Sequence, residues 1–467
     1  MILTKDRGFY RSLVLLSLPI ALQNLITFAV GFADNVMISA LGDSAVSGVY
    51  MANQVQTLLQ LMSGGIESAI LVLCAQYWGR RDTESIRRIS AIGIRFSMIF
   101  GLAVTLTCLI APQWVISLFS SETSVIESGA VYLRIVCLSY LFFCLTQALI
   151  ASMRSVEVAK IGLYVSAASL VINVVLNYLL IFGKLGLPAM GIRGAAMATV
   201  ISRACETAII LAFVLVRDKR LNFRLRYLLV RDKALTADFI RYGLPLIAGQ
   251  LVWACNMLTS SAIMGRQSAD GVVAGLSVAQ TMHNLAYVTM NGMAGAVGII
   301  TGKTVGAGRV EKMKEYAKTV QVLFIILGIV TGGAILLLKK PFISLYGGLS
   351  SSATAQANAL ISVISVTIIG TCYQCACLFG LVKSGGDTGF VFKNDLIFVF
   401  LIVLPSAILA TSLNAPAWVV FACLKSDQIL KCFVAAVKIN RYNWMRNLTK
   451  KSTGTPPATD GALIKEE

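Results

Sequence analysis

Few residues in this chain could carry chemistry, and several of them stand where they are costly. Asp34 lies in the run Phe32-Ala33-Asp34-Asn35-Val36, past the middle of an apolar stretch from Leu13 to Leu41. A carboxylate in hydrocarbon costs about 2.5–3.5 kcal/mol on insertion scales, so its default reading is an ion or proton site turned toward the protein interior. Pro19 precedes it by 15 residues on the same stretch, and a proline bends or weakens the helix that contains it. Asn173 and Asn177 are one turn apart and share a helix face. Their amides could bond a carboxylate, give oxygens to a hard cation, or serve as interhelical glue; Thr199 is a further candidate beside them. Glu67 is a second acidic candidate. Facing a cavity it would bind a proton or cation; nearer the cytoplasmic half it would be protonated or paired with an arginine. Arg203 and Glu206, at i and i+3, read as a structural ion pair.

In the second half Gln250, Asn256, Gln280, His283, Asn284, Asn291, Tyr373 and Gln374 are candidates for lining a cavity or for satisfied packing. Met51, Met62, Met257, Met282, Met290 and Met293 would suit a wall that adapts to varied apolar ligands. The seventh and tenth apolar spans read as free of carboxylates, which places the coupling chemistry in the first half. No Gly-x-Ser-x-Gly, His-Glu-x-x-His or Walker pattern occurs, so no enzyme, no cofactor and no metal beyond a coupling Na+ is expected. The 11 cysteines fall in or beside apolar runs and read as small hydrophobes, without disulfide or metal roles.

The elements that must position these groups are membrane helices. Hydrophobic residues make up 57% of 467 and only 13% are charged, with a mean hydropathy of +0.78, which excludes an ordinary soluble domain. Twelve apolar runs are long enough to span a bilayer, near 13–41, 45–75, 89–112, 127–153, 159–183, 194–216, 237–264, 271–301, 317–338, 354–382, 390–411 and 416–437. The net charge of +18 gathers in alternate loops, which marks a cytoplasmic side and puts both termini there, and it does not imply nucleic acid. Gly48, Gly79 and Ile116-Ser117-Leu118 recur 227 residues later as Gly275, Gly306 and Ile343-Ser344-Leu345, and Leu18-Pro19 recurs as Leu244-Pro245. Six spans per repeat is an even number, so the copies share one orientation and relate by a pseudo-two-fold axis along the membrane normal. The expected organisation is an N-lobe at 1–216, a basic linker at 217–236 suited to an anionic leaflet, a C-lobe at 237–440, and a cytoplasmic tail at 441–467 that is disordered from about 452.

Leu18-Pro19 with Asp34-Asn35-Val36-Met37, Ala75-Gln76-Tyr77-Trp78-Gly79, Leu176 to Gly183, Gly194 to Thr199, Gly302 to Gly308 and Lys383 to Thr388 together resemble the multidrug and toxic compound extrusion (MATE) family over about residues 10–450. The resemblance implies a monomeric antiporter of the bacterial inner membrane that expels organic, mainly cationic compounds in exchange for Na+ or H+. It implies Asp34 as the coupling carboxylate and Pro19 as the bending point. Asn173 and Thr199 match the family's cation-site asparagine and threonine, and Asn177 stands where some members carry a second aspartate. Two rivals remain. A flippase for lipid-linked or anionic precursors would need Arg95, Arg134 and Arg203 in a central cavity; a membrane scaffold would transport nothing.

Overall fold

Apolar runs of this length leave the backbone no partner in lipid except itself, so they form helices. The computed structural model describes residues 3–41, 43–186, 188–267 and 270–449. The expected disorder beyond about 452 lies outside the described residues. The helices are α1 (Arg7–Ser39), α2 (Asp43–Gly79), α3 (Thr83–Ile110), α4 (Thr123–Val136 and Leu138–Ser155), α5 (Lys160–Phe182) and α6 (Ile192–Ala212, continued by a π turn over Phe213–Arg217). The second half repeats the set: α7 (Lys233–Gly265), α8 (Val272–Gly306), α9 (Val310–Ser344), α10 (Ser351–Gln374, continued to Val382), α11 (Thr388–Ile397 through Leu404–Ser412) and α12 (Ala417–Leu424 and Asp427–Asn440). Each sequence-predicted span coincides with one of these. Ten helices pass a length and hydropathy test as single elements, and α4 passes as a pair bent by 50°. α12 is interrupted at Lys425-Ser426. The architecture is all-α, in two six-helix lobes. Pro19 and Pro245 sit inside α1 and α7 without breaking either helix.

The lobes meet through α1 and α2 on one side and α7 and α8 on the other. Contact is closest at the face that carries the N-terminus, where glycine lets the backbones approach. A Cβ on Gly79 would strike the Lys303 carbonyl, and one on Gly306 the Gln76 carbonyl. Gly302 rests on Ala75, and Gly65 on Ile247. Toward the opposite face the packing opens: Gly31 and Gly265 have nothing within 4 Å, and Phe32, Val36, Trp253 and Leu258 are exposed.

The linker and the start of the tail pack more closely than their sequence suggests. The linker does not simply lie on a leaflet: Leu221, Phe223 and Tyr227 are buried in the N-lobe core, and Arg87 Nε donates to the Leu221 carbonyl at 2.6 Å. Alternating apolar residues turn inward while Arg224 and Arg226 stay exposed. Residues 441–449, ahead of the stretch expected to be disordered, pack as well. Trp444 is fully buried in the C-lobe cluster and Leu448 is buried in the N-lobe cluster, so this strap spans both lobes. Gln76 fastens it: its Nε2 donates to the Ser384 and Arg446 carbonyls at 3.1 and 3.2 Å, and its Oε1 accepts from the Leu448 N–H at 2.8 Å. Lys303 of the C-lobe also pairs with Glu157 of the N-lobe at 2.8 Å.

Candidate functional site

Asp34 is carried toward the far end of α1, and α5 runs beside α1 with Asn173 and Asn177 on its inner face. The result is a polar chamber of about 190 Å³ inside the N-lobe, lined by Asp34, Asn173, Thr199, Ser202, Arg203 and Tyr132, with Asn53, Gln56 and Gln60 from α2. Asn177 Nδ2 donates to Asp34 Oδ1 at 2.5 Å and to Asn173 Oδ1 at 3.1 Å. Asn173 Nδ2 donates in turn to Ser202 Oγ at 3.5 Å. The Thr199 hydroxyl donates to the Ala195 carbonyl, so its lone pairs remain available. Asn177 Oδ1 is buried with no partner. Buried polar atoms are normally paired, so an oxygen left open next to a carboxylate is a place for a cation or a protonated group.

The four residues singled out in sequence therefore meet in space. Among the described residues no ammonium or guanidinium lies within 4 Å of Asp34. The chamber's other charges neutralise each other: Arg203 Nη1 pairs with Glu206 Oε2 at 2.6 Å, Ser169 Oγ donates to the same Oε2 at 3.4 Å, and the guanidinium lies over the Phe143 ring. The expected ion pair forms, and Arg203 also lines the chamber. Asp34, Asn173, Asn177 and Thr199 offer only hard oxygen donors, suited to a proton or a small monovalent cation rather than a soft metal.

Glu67 is apart from this chamber, in the half of α2 nearer the N-terminal face. It faces Arg154 of α4 across more than hydrogen-bond distance, while Arg154 Nη2 donates to Gln23 Oε1 at 2.7 Å. Of its two readings, the arginine partner is the one the geometry favours. Arg95 and Arg134 do not line the chamber that Arg203 lines, and Arg134 is exposed on α4.

The second-half candidates divide. Gln250 faces Gly64 of α2 across the lobe boundary. Gln280 Nε2 donates to Asn284 Oδ1 at 3.1 Å on the exposed side of α8. His283 lies against Tyr287, and Asn256 is half-buried with its Oδ1 unpartnered. Tyr373 and Gln374 do not line a cavity. Both are buried, Tyr373 donating to Gln321 Oε1 at 2.8 Å and Gln374 bonding Gln428, because α8, α9 and α12 enclose this part of α10.

The expectation that α7 lacks a carboxylate is also corrected: Asp238 is in its second turn. A larger omission is on α11 and α12, where Lys431 is clamped by Asp395 at 2.9 Å and Asp427 at 3.1 Å. Its sequence signal was the i, i+4 pair Asp427–Lys431 inside the last apolar run. Tyr132, Gln56 and Gln60 were missed for another reason: nothing in an isolated span says which face meets the chamber.

The MatE family model matches residues 19–179 and 245–415, one block in each lobe and together well over half of the chain. A probable multidrug resistance protein NorM of Thermotoga maritima is 26% identical over 363 residues, 77% of this chain and 76% of the relative. An uncharacterised transporter, YisQ, of Bacillus subtilis is 24% identical over 413 residues, 86% of this chain and 88% of the relative. Among solved structures, a MOP superfamily transporter from Pyrococcus furiosus superposes with a TM-score of 0.83 at 19% identity, covering 94% of this chain and 99% of that one. An outward-facing multidrug resistance MATE transporter superposes with 0.83 at 18% over the same shares.

Proposed function

Because this chain belongs to the MatE family of multi-pass membrane transporters, whose model matches both of its lobes, we propose that it is a secondary antiporter. It exports organic, mainly cationic small molecules in exchange for an inward-moving Na+ or H+ taken up at Asp34. The observation that carries this reading is the chamber itself: one carboxylate with no cation in contact, bonded by Asn177 at 2.5 Å and beside the open Asn177 Oδ1.

Occupation of Asp34 by the coupling ion cancels the chamber's unbalanced charge. The chamber then holds a cationic substrate less well. A ligand shifts two conformations only by its differential affinity for them, and competition for one charge supplies that difference. Bending of α1 at Pro19 would carry the change toward the lobe boundary. Glu67 and Arg154 stand where α1, α2 and α4 meet and would register that movement without holding the ion. Gln250, Asn256, Gln280, His283 and Asn284 would form the C-lobe wall of the substrate path.

The N-lobe at 1–216 and C-lobe at 237–440 would move as bodies about the linker at 217–236. Both termini would face the cytoplasm of a bacterial inner membrane, since the basic loops share their face. The unit is a monomer that needs no cofactor and performs no enzymatic reaction.

Reconstituted in proteoliposomes, the protein should expel a fluorescent cationic dye under an imposed Na+ or pH gradient, and the gradient that works names the ion. Asp34→Asn should abolish that drive. If neither gradient moves the dye through correctly inserted protein, the antiporter reading fails.

A further inference from the structure

The linker between the lobes has two faces, and only the inner one has partners. That face is fixed on the N-lobe: Leu221, Phe223 and Tyr227 are buried, and the Tyr227 hydroxyl donates to Glu84 Oε2 on α3 at 2.9 Å. Both of the linker's acids are also used locally. The Asp218 carboxylate accepts from the backbone N–H groups of Arg220, Leu221 and Asn222. Asp232 caps α7 through the Leu235 N–H and pairs with Arg88 at 3.2 Å.

The outer face keeps charge that nothing answers. Arg217, Lys219, Arg224, Arg226, Arg231 and Lys233 are exposed, and among the described residues none of them has a carboxylate within 4 Å. The Arg226 guanidinium lies over the Tyr227 ring, which holds it at the surface. Between these cations stand apolar side chains that the N-lobe does not cover: Val216 and Leu229 are 86% and 85% exposed, and Leu225 55%. They cannot turn inward, because Leu221, Phe223 and Tyr227 already fill the inner positions. In water such a surface is costly.

Its place in the fold says what covers it. The segment runs from the end of α6 to the start of α7, membrane-spanning helices whose outward side chains, Leu215 on one and Ile240 and Leu244 on the other, are exposed. Those side chains belong in hydrocarbon, so the linker between them lies where hydrocarbon gives way to headgroups. There a leucine enters the acyl boundary while the cation beside it stays among phosphates. An excess of unpaired cations selects headgroups of negative charge.

We propose that the outer face of the linker is a docking surface for anionic phospholipid. The headgroup phosphates meet Arg224, Arg226 and Arg231, and Leu225 and Leu229 lie against the acyl chains. The inference concerns lipid binding alone and stands apart from the Asp34 reading.

Hydrogen–deuterium exchange in nanodiscs locates the contact without a label. When phosphatidylglycerol is added to phosphatidylcholine, the backbone amides of 224–231 should exchange severalfold more slowly, and high salt should reverse the change. Each of Arg224→Gln, Arg226→Gln and Arg231→Gln should weaken phosphatidylglycerol binding about fivefold, the worth of one basic residue at a charged leaflet. The three together should return the exchange rate to its value in phosphatidylcholine. These side chains are exposed, so the melting temperature in detergent should stay unchanged and separate a lost contact from a lost fold. Equal exchange in the two lipids would overturn the proposal: equally slow exchange means apolar contact without headgroup recognition, and equally fast exchange means a face turned to water and open to a protein partner. Protection that survives all three substitutions would overturn it too.

Discussion

Gln76 offers the most demanding test of how the lobes are held. Its side chain is fully buried at the junction of α2, the end of α10 and the C-terminal strap, and it makes three hydrogen bonds, to the Ser384 and Arg446 carbonyls and from the Leu448 N–H. Leucine at this position keeps most of the volume and removes all three. At about 1 kcal/mol net for each bond, the closed N-terminal face loses about 3 kcal/mol, about a hundredfold in the ratio of closed to open forms. The proposed alternating access requires that face to open, so Gln76→Leu should move a form open at this face from a minor to a comparable population. Spin labels on Lys160 and Arg309, exposed residues of opposite lobes at this face, would read the change as a longer-distance component in double electron–electron resonance. The substitution should leave the Asp34 chamber untouched. An unchanged distance distribution together with an unchanged transport rate would refute the assignment of the strap as a gate tie.

Other outcomes follow from single contacts. Asp6 caps α1 through the Gly8 N–H at 2.9 Å, and the Lys312 ammonium and Tyr316 hydroxyl hold its carboxyl at about 2, below the ordinary 3.8. A depressed folded-state value gives stability that is present above about pH 4 and lost as pH falls toward 2, so Asp6→Asn should flatten the melting temperature across that window. Glu206→Gln leaves the partly buried Arg203 without its partner at 2.6 Å; breaking a pair of which one member is buried costs a few kcal/mol at most, below the about 3–5 kcal/mol of a fully buried pair, and the variant should unfold at lower temperature in detergent. Gly306→Ala places a methyl against the Gln76 carbonyl, so α2 and α8 must part and the same spin-label pair should report an opened face without any lost hydrogen bond.

Asp34 was legible in the sequence because a carboxylate within a bilayer-length apolar run needs a reason, whatever surrounds it. The twelve spans were legible from the bilayer's thickness, and the lobe symmetry from the repeated glycines, which the fold uses for close backbone contact at Gly79 and Gly306. What the sequence left open is direction. A helix that is apolar all round carries little periodic signal for its inner face, so nothing local separated Gln60, which lines the chamber, from Gln374, which is packed in the core. Asp395 and Lys431 lie on different helices 36 residues apart, and the Gln76 ties to Arg446 and Leu448 span about 370 residues. Helix packing inside the C-lobe brings Lys431 to Asp395, and only the packing of one lobe against the other brings Gln76 within bonding distance of Arg446 and Leu448 and makes the last described residues a strap across both lobes.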